Sequence, residues 1–273
     1  MNDFNYSVFD NAVLSVKDGD YEKDGILYCG KCHTAKQKKI NKYGINRTVP
    51  MMCTCEHLAY LQKQEEDRQQ QEFLEISRLR SSGINDLKMH KWTFENDNGQ
   101  NPHMARAEKY VAHWQEMKHE GIGLLLWGDV GTGKTFMAAC IANALISQGV
   151  PVMMTNFAKI LNTMQQFGFD KNEYIADMNR HSLLIIDDLG IERGTEFALE
   201  IVYNVIDSRY KTGKPLIVTT NLTMQQLAEP QDMAHKRIYD RVLEMCVPLE
   251  FRGKNMREEL AMRKMDKARQ LLA

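Results

Sequence analysis

The sequence predicts an α/β protein in which a five-stranded parallel sheet with flanking helices follows a small cysteine-bearing N-terminal module and a linker helix. Three observations lead there. From about residue 84 onward, short apolar runs alternate with longer helix-periodic ones, the mark of a sheet covered on both faces. A glycine-rich turn of the form GxxxxGK[ST] separates the first of those runs from the first long periodic segment. Two close cysteine pairs, Cys29-Gly-Lys-Cys32 and Cys53-Thr-Cys55, stand well before both. The expected division is a module over residues 1–58, a linker helix over 59–83, and a nucleotide-binding domain over 84–273 that ends in a short C-terminal lid helix.

The cysteines come first in chain order. Met1 to Val13 is polar rather than basic and then apolar, and no run approaches the roughly 18 apolar residues of a membrane span. The expectation is therefore a cytoplasmic protein with no membrane partner, in a reducing compartment where close cysteine pairs read as a zinc site before disulfides. Four thiolates, Cys29, Cys32, Cys53 and Cys55, can close a tetrahedral Zn²⁺ site, and so short a segment needs the stability a metal supplies. Cys29-x-x-Cys32 has the usual spacing and Cys53-x-Cys55 a tighter one. His33 and His57 stand close enough to replace a thiolate or to remain surface residues, and free structural thiols are the alternative for the whole cluster. Cys140 and Cys246 lie alone in apolar surroundings, as buried small residues do.

Between Gly25 and Cys55 the chain has Lys31, Lys36, Lys38, Lys39, Lys42 and Arg47 with no acid. A four-cysteine zinc site carries about −2, so part of this charge balances the metal site and the remainder can meet phosphate or an acidic protein. The molecule as a whole has 35 Lys plus Arg against 36 Asp plus Glu, which excludes a global attraction to nucleic acid and makes any DNA contact a local patch. A polar run from Tyr60 to Arg80 places Leu61, Phe73, Ile76 and Leu79 at partly helical spacing before Ser81-Ser82-Gly83, and reads as a solvated linker helix.

In the domain that follows, the candidate strands are Leu124 to Trp127, Val152 to Thr155, Leu183 to Asp187, Leu216 to Thr220 and Val247 to Phe251. Phe136 to Gln148 reads as a helix ended by Gly149 and Pro151. Glu196 to Lys211 puts Phe197, Ile201, Val205 and Ile206 on one face before Gly213 and Pro215, and Met233 to Met245 forms a further helix.

The turn Gly128-Asp129-Val130-Gly131-Thr132-Gly133-Lys134-Thr135 lies directly after a strand and before a helix. There, backbone N–H groups converge on phosphate oxygens, the helix N-terminus adds its dipole, Lys134 neutralises β and γ phosphates, and Thr135 offers a hydroxyl to Mg²⁺. ATP is the expected ligand. Asp187 and Asp188 end an apolar strand on the same sheet edge. Asp187 is the expected Mg²⁺ partner, while Asp188 either orients the attacking water or caps the next turn. Asn221 follows the Leu216 to Thr220 strand and either positions water or forms a turn. Arg237 and Arg241 share a helix face in a way that core packing does not explain. They are either an arginine finger for a neighbouring subunit or solvated residues, one of them paired with Asp240 or Glu244.

Taken together, the Gly128–Thr135 turn, LLIIDDLG at 183–190, IDSRY at 206–210, VTTN at 218–221 and RIYDR at 237–241 resemble the AAA+ ATPases of the DnaC/DnaI type, the bacterial and phage helicase loaders, with the related IstB-type transposition ATPases close behind. The resemblance covers roughly residues 84–260. It implies that Asn221 is the sensor 1 residue, that Arg241 is a finger acting in trans with Arg237 beside it, and that Arg257 is the sensor 2 arginine. It also implies ATP-dependent homo-oligomers that grip single-stranded DNA without sequence specificity and deliver or open a hexameric replicative helicase, with the zinc module as the docking element. Two departures stand out: Asp188 occupies a position where most AAA+ proteins have Glu, and the chain after Phe251 is short for a helical lid. The alternatives are a transposition ATPase that assembles on duplex DNA and a nucleotide-switched adaptor that scarcely hydrolyses ATP.

Overall fold

A computed structural model describes residues 15–42, 44–97, 99, 101–166, 170–190, 195–230 and 232–272. Met1 to Val13 and the side chain of Lys42 lie outside them. The chain divides into two compact units, Met1–Phe73 and Leu74–Ala273.

In the first unit, β1 (Tyr21–Lys23) and β2 (Ile26–Tyr28) form an antiparallel hairpin, as do β3 (Gln37–Lys42) and β4 (Ile45–Pro50). The two-residue turn Asp24-Gly25 has φ of 54° and 70°, the left-handed pair that matches strand twist in a tight hairpin. Tyr21 stacks on Tyr28 across it, with ring centroids 5.6 Å apart. Helix α1 (Thr54–Gly83) begins in the second cysteine pair, five residues before the expected linker helix, because the turn after Cys53 is already helical: His57 N donates to Cys53 O at 2.9 Å. That first turn accounts for the tight Cys53-x-Cys55 spacing. Further along α1, Arg68 pairs with Glu65 and Glu72 at i−3 and i+4 on an exposed face.

The second unit contains α2 (Met104–Ala112), α3 (Trp114–His119), β5 (Gly123–Gly128), α4 (Lys134–Ser147), β6 (Val152–Asn156), α5 (Phe157–Met164), α6 (Lys171–Arg180), β7 (Leu183–Leu189), α7 (Glu196–Thr212), β8 (Leu216–Thr220), α8 (Met224–Ala228), α9 (Met233–Met245), β9 (Cys246–Phe251) and α10 (Met256–Leu272). Five strands form one parallel sheet in the order β6-β7-β8-β5-β9. Consecutive apolar residues in each strand go to opposite faces: Leu124 and Leu126 pack with α2, α3 and α4, whereas Leu125 packs with α5, α7 and α9. Helix α4 is apolar nearly all round, and Met137 to Ala142 are fully buried. Cys140 and Cys246 sit in these cores, and burial pushes the Cys140 thiol up to about 12.

The strand order sets up the site. Because β8 is inserted between β5 and β7, the C-terminal ends of three neighbouring strands bring the glycine-rich turn, Asn221 and the two acids to one edge.

Candidate functional site

The glycine-rich turn leaves β5 through Gly128, whose φ is 120°. A Cβ there would lie 2.2 Å from Phe251 O, so only glycine allows this departure beside β9. Asp129 N then donates to Phe251 O at 2.9 Å, and Thr132 Oγ1 to Asp129 O at 2.7 Å. Lys134 Nζ reaches across the loop to Gly128 O at 2.9 Å and Asp129 O at 2.6 Å. Burial lowers its pKa, and Asp188 and Asp129 oppose that shift.

The acids are held by one hydroxyl. Thr219 of β8 is fully buried, donates through Oγ1 to Asp187 Oδ1 at 2.5 Å, and accepts from Asp188 N at 2.9 Å. Thr135 Oγ1 donates to the same Asp187 oxygen at 2.9 Å. Burial raises the Asp187 pKa, with the Thr219 hydrogen bond acting against it. The β7–β8 register shifts between Ile186 and Leu189, and Asp188 sits in that bulge with φ 59°, an uncommon conformation for a residue with a Cβ. The bulge turns Asp188 to the cavity described below, whereas Asp187, buried beside Thr135, is not among the residues that line it; two successive strand residues otherwise point to opposite faces.

Lys134, Thr135, Asp188, Asn221 and Arg257 line one cavity of about 480 Å³, a size suited to a nucleotide. Arg257 comes from the first turn of α10, which is tied to the loop by Met256 N donating to Gly131 O at 2.9 Å. Asn255 caps that turn by accepting from Arg257 N at 3.1 Å. Thr135 and Asp187 present a hydroxyl and a carboxylate oxygen side by side, the hard donor set that Mg²⁺ takes. Sequence reasoning missed Trp92, Asn101 and Arg263, which also line the cavity, and Thr219. No periodicity or motif marks the Trp92–Asn101 segment, and Thr219 reads as an ordinary strand threonine.

Arg237 and Arg241 do not line this cavity. The expectation that packing leaves this pair unexplained fails for Arg241. Its guanidinium pairs with Asp207 of α7 at 2.9 Å, lies over the Tyr203 ring at 5.0 Å, and donates to Arg237 O at 2.9 Å. Neither Asp240 nor Glu244 holds it: Asp240 pairs with Lys236, and Glu244 accepts from Tyr210. Asp207 lies one helix away, so sequence spacing could not reveal the pairing. Arg237 is exposed. The IDSRY segment holds a second surprise, because Arg209 is fully buried and donates to the carbonyls of His181, Ser182 and Pro215.

In the first unit the sulfurs of Cys29, Cys32, Cys53 and Cys55 all lie within 4.8 Å of one another. The Cys29–Cys55 and Cys53–Cys55 separations are 3.6 and 3.3 Å, near the edge of about 3.8 Å that Zn–S bonds of 2.3 Å set for a tetrahedron. N–H groups of Cys32 and Lys31 aim at the Cys29 sulfur and lower its pKa, while the Thr34 hydroxyl takes Cys32 down to about 5. Burial pushes the Cys53 thiol up and Cys55 is raised too, so the fit to Zn²⁺ rests on four clustered soft donors rather than on their titration. Among the described residues neither His33 nor His57 joins the cluster; His33 packs against Tyr21 at 5.9 Å. The basic run is partly structural as well. Lys36 is buried between Asp20 at 2.8 Å and Glu56 at 3.4 Å; Lys39 donates to Asp24 O and, like Lys31, Lys38 and Arg47, is exposed.

Residues 33–264 match the family described as IstB-like ATP binding protein. Over 148 residues the chain is 26% identical to the replicative helicase loader DnaC of Escherichia coli, covering 53% of this chain and 58% of that one. It is 27% identical over 150 residues to the replicative helicase loader DnaI of Bacillus subtilis, covering 50% and 48%. The chain thus spans about half the length of the curated relatives it matches. The crystal structure of DnaI superposes with a TM-score of 0.53 at 26% identity, over 65% of this chain and 98% of that one. With the family match running through the glycine-rich loop, both acids, β8 and the arginine helix, the chain belongs to the IstB-like ATP-binding proteins and has their P-loop AAA+ fold.

Proposed function

We propose that the protein is an ATP-dependent loader of a hexameric replicative DNA helicase, working in the cytoplasm and binding single-stranded DNA without sequence specificity. The observation that supports this most is the convergence of Lys134, Asp188, Asn221 and Arg257 on one nucleotide-sized cavity, in a chain similar to two replicative helicase loaders. In this reading the Gly128–Thr135 loop and Lys134 hold the β and γ phosphates of ATP. Thr135 and Asp187 hold Mg²⁺, which neutralises phosphate charge when bound. Asp188 orients the attacking water, Asn221 positions it without adding charge, and Arg257 couples the γ-phosphate to α10. Arg241, with Arg237 beside it, exchanges Asp207 for the nucleotide of a neighbouring subunit in an ATP-dependent homo-oligomer. The zinc-bound module engages the helicase.

Alanine at Lys134 is expected to abolish ATP binding in a calorimetric titration, and unchanged affinity would remove the site assignment. For the partner, the protein and the replicative helicase of its host are mixed with ATP and followed by light scattering after size exclusion. Co-elution as a defined complex supports the loader. The family match favours one second reading, a transposition ATPase of the IstB type. Separate elution, with ATP-dependent assembly on duplex DNA instead, selects it.

A further inference from the structure

Three rings gather on the first hairpin of the N-terminal unit. Tyr21 of β1 and Tyr28 of β2 are direct cross-strand partners and stack with centroids 5.6 Å apart and planes 13° from parallel. The His33 ring leans on Tyr21 at 5.9 Å, tilted by 48°. None of the three is buried: Tyr21 is 41% exposed, Tyr28 half-buried and His33 exposed.

Hairpin stability alone accounts for a cross-strand pair of tyrosines. It does not account for His33. That residue closes the turn after the first cysteine pair, with its N–H donating to Cys29 O at 2.9 Å, and its φ is 56°. Left-handed backbone suits glycine, and a residue with a Cβ is held there at a cost. The imidazole stands outside the thiol cluster and makes no side-chain hydrogen bond among the described residues. A ring is thus presented to solvent at a position where folding by itself favours glycine.

Cations flank the rings. Lys23 shares a strand face with Tyr21 by alternation, and Lys31 belongs to the turn between Cys29 and Cys32. Lys39 crosses from β3 to the β1–β2 turn, where its Nζ donates to Asp24 O at 3.0 Å. All three are exposed, and among the described residues none is paired with a carboxylate, since the ion pairs of Asp20 and Glu56 go to Lys17 and Lys36. The hairpin's own acids are Glu22, which the same alternation sends to the opposite face, and Asp24 in the turn. Open rings with ammonium groups beside them are the parts of a single-strand site, because bases stack on the rings and the lysines meet phosphates. A duplex hides the faces of its bases, and an acidic protein would need the lysines without the parallel rings.

We propose that the Tyr21–Tyr28–His33 face binds single-stranded DNA, with bases stacked on the exposed rings and phosphates met by Lys23, Lys31 and Lys39. The proposal rests on the reading that the chain binds single-stranded DNA, and gives that binding a site in the N-terminal unit that needs no nucleotide. Lys38 and Arg47, on the opposite face of the β3–β4 hairpin from Lys39, remain for a protein partner.

The test uses the full zinc-loaded chain without nucleotide, titrated against two fluorescein-labelled strands of about 20 nucleotides and followed by anisotropy. One is oligothymidylate; the other carries abasic sites throughout and so keeps the phosphates without the bases. His33→Gly removes a ring and suits the left-handed backbone, Tyr21→Leu removes a stacking surface but keeps apolar bulk, and Lys31→Gln removes a charge. Both ring variants are expected to lose about fivefold or more in affinity for oligothymidylate while staying within about twofold on the abasic strand. His33→Gly is also expected to keep its zinc and a thermal midpoint at or above that of wild type. Lys31→Gln is expected to weaken both strands and to reduce the salt slope by about 0.7.

Wild-type affinity for oligothymidylate in both ring variants overturns the proposal. An equal loss on the two strands also overturns it, because the rings then act on the scaffold. Ring variants that keep oligothymidylate but no longer co-elute with the helicase assign the face to a protein partner instead. Binding by the wild-type chain that appears only with ATP overturns the proposal and leaves the single-stranded DNA reading in place. A wild-type chain that binds oligothymidylate neither with nor without ATP overturns that reading itself, an outcome distinct from the others.

Discussion

At the scale of single residues, the arrangement depends on one hydroxyl. Thr219 is the shared partner of Asp187 and of the backbone of Asp188, and it pins a left-handed conformation that β-sheet geometry would not otherwise hold. Thr219→Val keeps the volume and removes both bonds. The expected outcome is ATP affinity within about threefold of wild type and turnover lower by about tenfold, with recovery in Thr219→Ser, read from steady-state hydrolysis with single-stranded DNA present. A purely structural role would instead lower affinity, turnover and thermal midpoint together. Gly128→Ala is a harsher change, because its new Cβ would meet the Phe251 carbonyl. It is expected to unseat the β5–β9 edge and the loop with it, and to appear as lost ATP binding together with a fall in thermal midpoint.

At the scale of elements, two arginines on neighbouring helices do different work. Arg209 of α7 ties the start of β7 to the turn before β8 through three carbonyls, and burial takes its pKa down to about 10, still well above neutral pH. Arg209→Leu leaves those carbonyls without that partner. At about 1–3 kcal/mol for each unsatisfied group, the variant is expected to lose roughly 3 kcal/mol or more in denaturant unfolding. Arg241 of α9 is held by Asp207 and Tyr203 but is a quarter exposed, so it can be released to a stronger anion. If it acts on a neighbour's nucleotide, a mixture of Arg241→Ala and Lys134→Ala subunits is expected to recover hydrolysis that neither has alone. Absence of recovery would confine Arg241 to the α7–α9 packing. Appreciable turnover with DNA and helicase that falls on Arg241→Ala would also exclude the adaptor reading.

At the scale of the whole molecule, the chain has two units with different sources of stability. The larger is held by two apolar layers on one sheet. Among the described residues, the smaller has short hairpins, a buried Lys36–Asp20 pair and four clustered thiols, too little apolar burial for a core of its own. Chelation of metal is therefore expected to unfold the first unit while ATP affinity stays within about twofold, which amide exchange and calorimetry on the same sample would show. Retained exchange protection over residues 15–50 after chelation would make the thiols merely structural. The sequence by itself determined the sheet strands, the nucleotide loop, the helix Met233–Met245 and the cysteine cluster, because each is a local pattern of period, spacing or turn chemistry. Only the tertiary structure decided that β8 lies between β5 and β7, that a bulge turns Asp188, that Asp207 takes Arg241, and that Asn101 lines the cavity. Those depend on partners dozens of residues away, joined by strand pairing and helix packing, which leave no periodic trace in the chain.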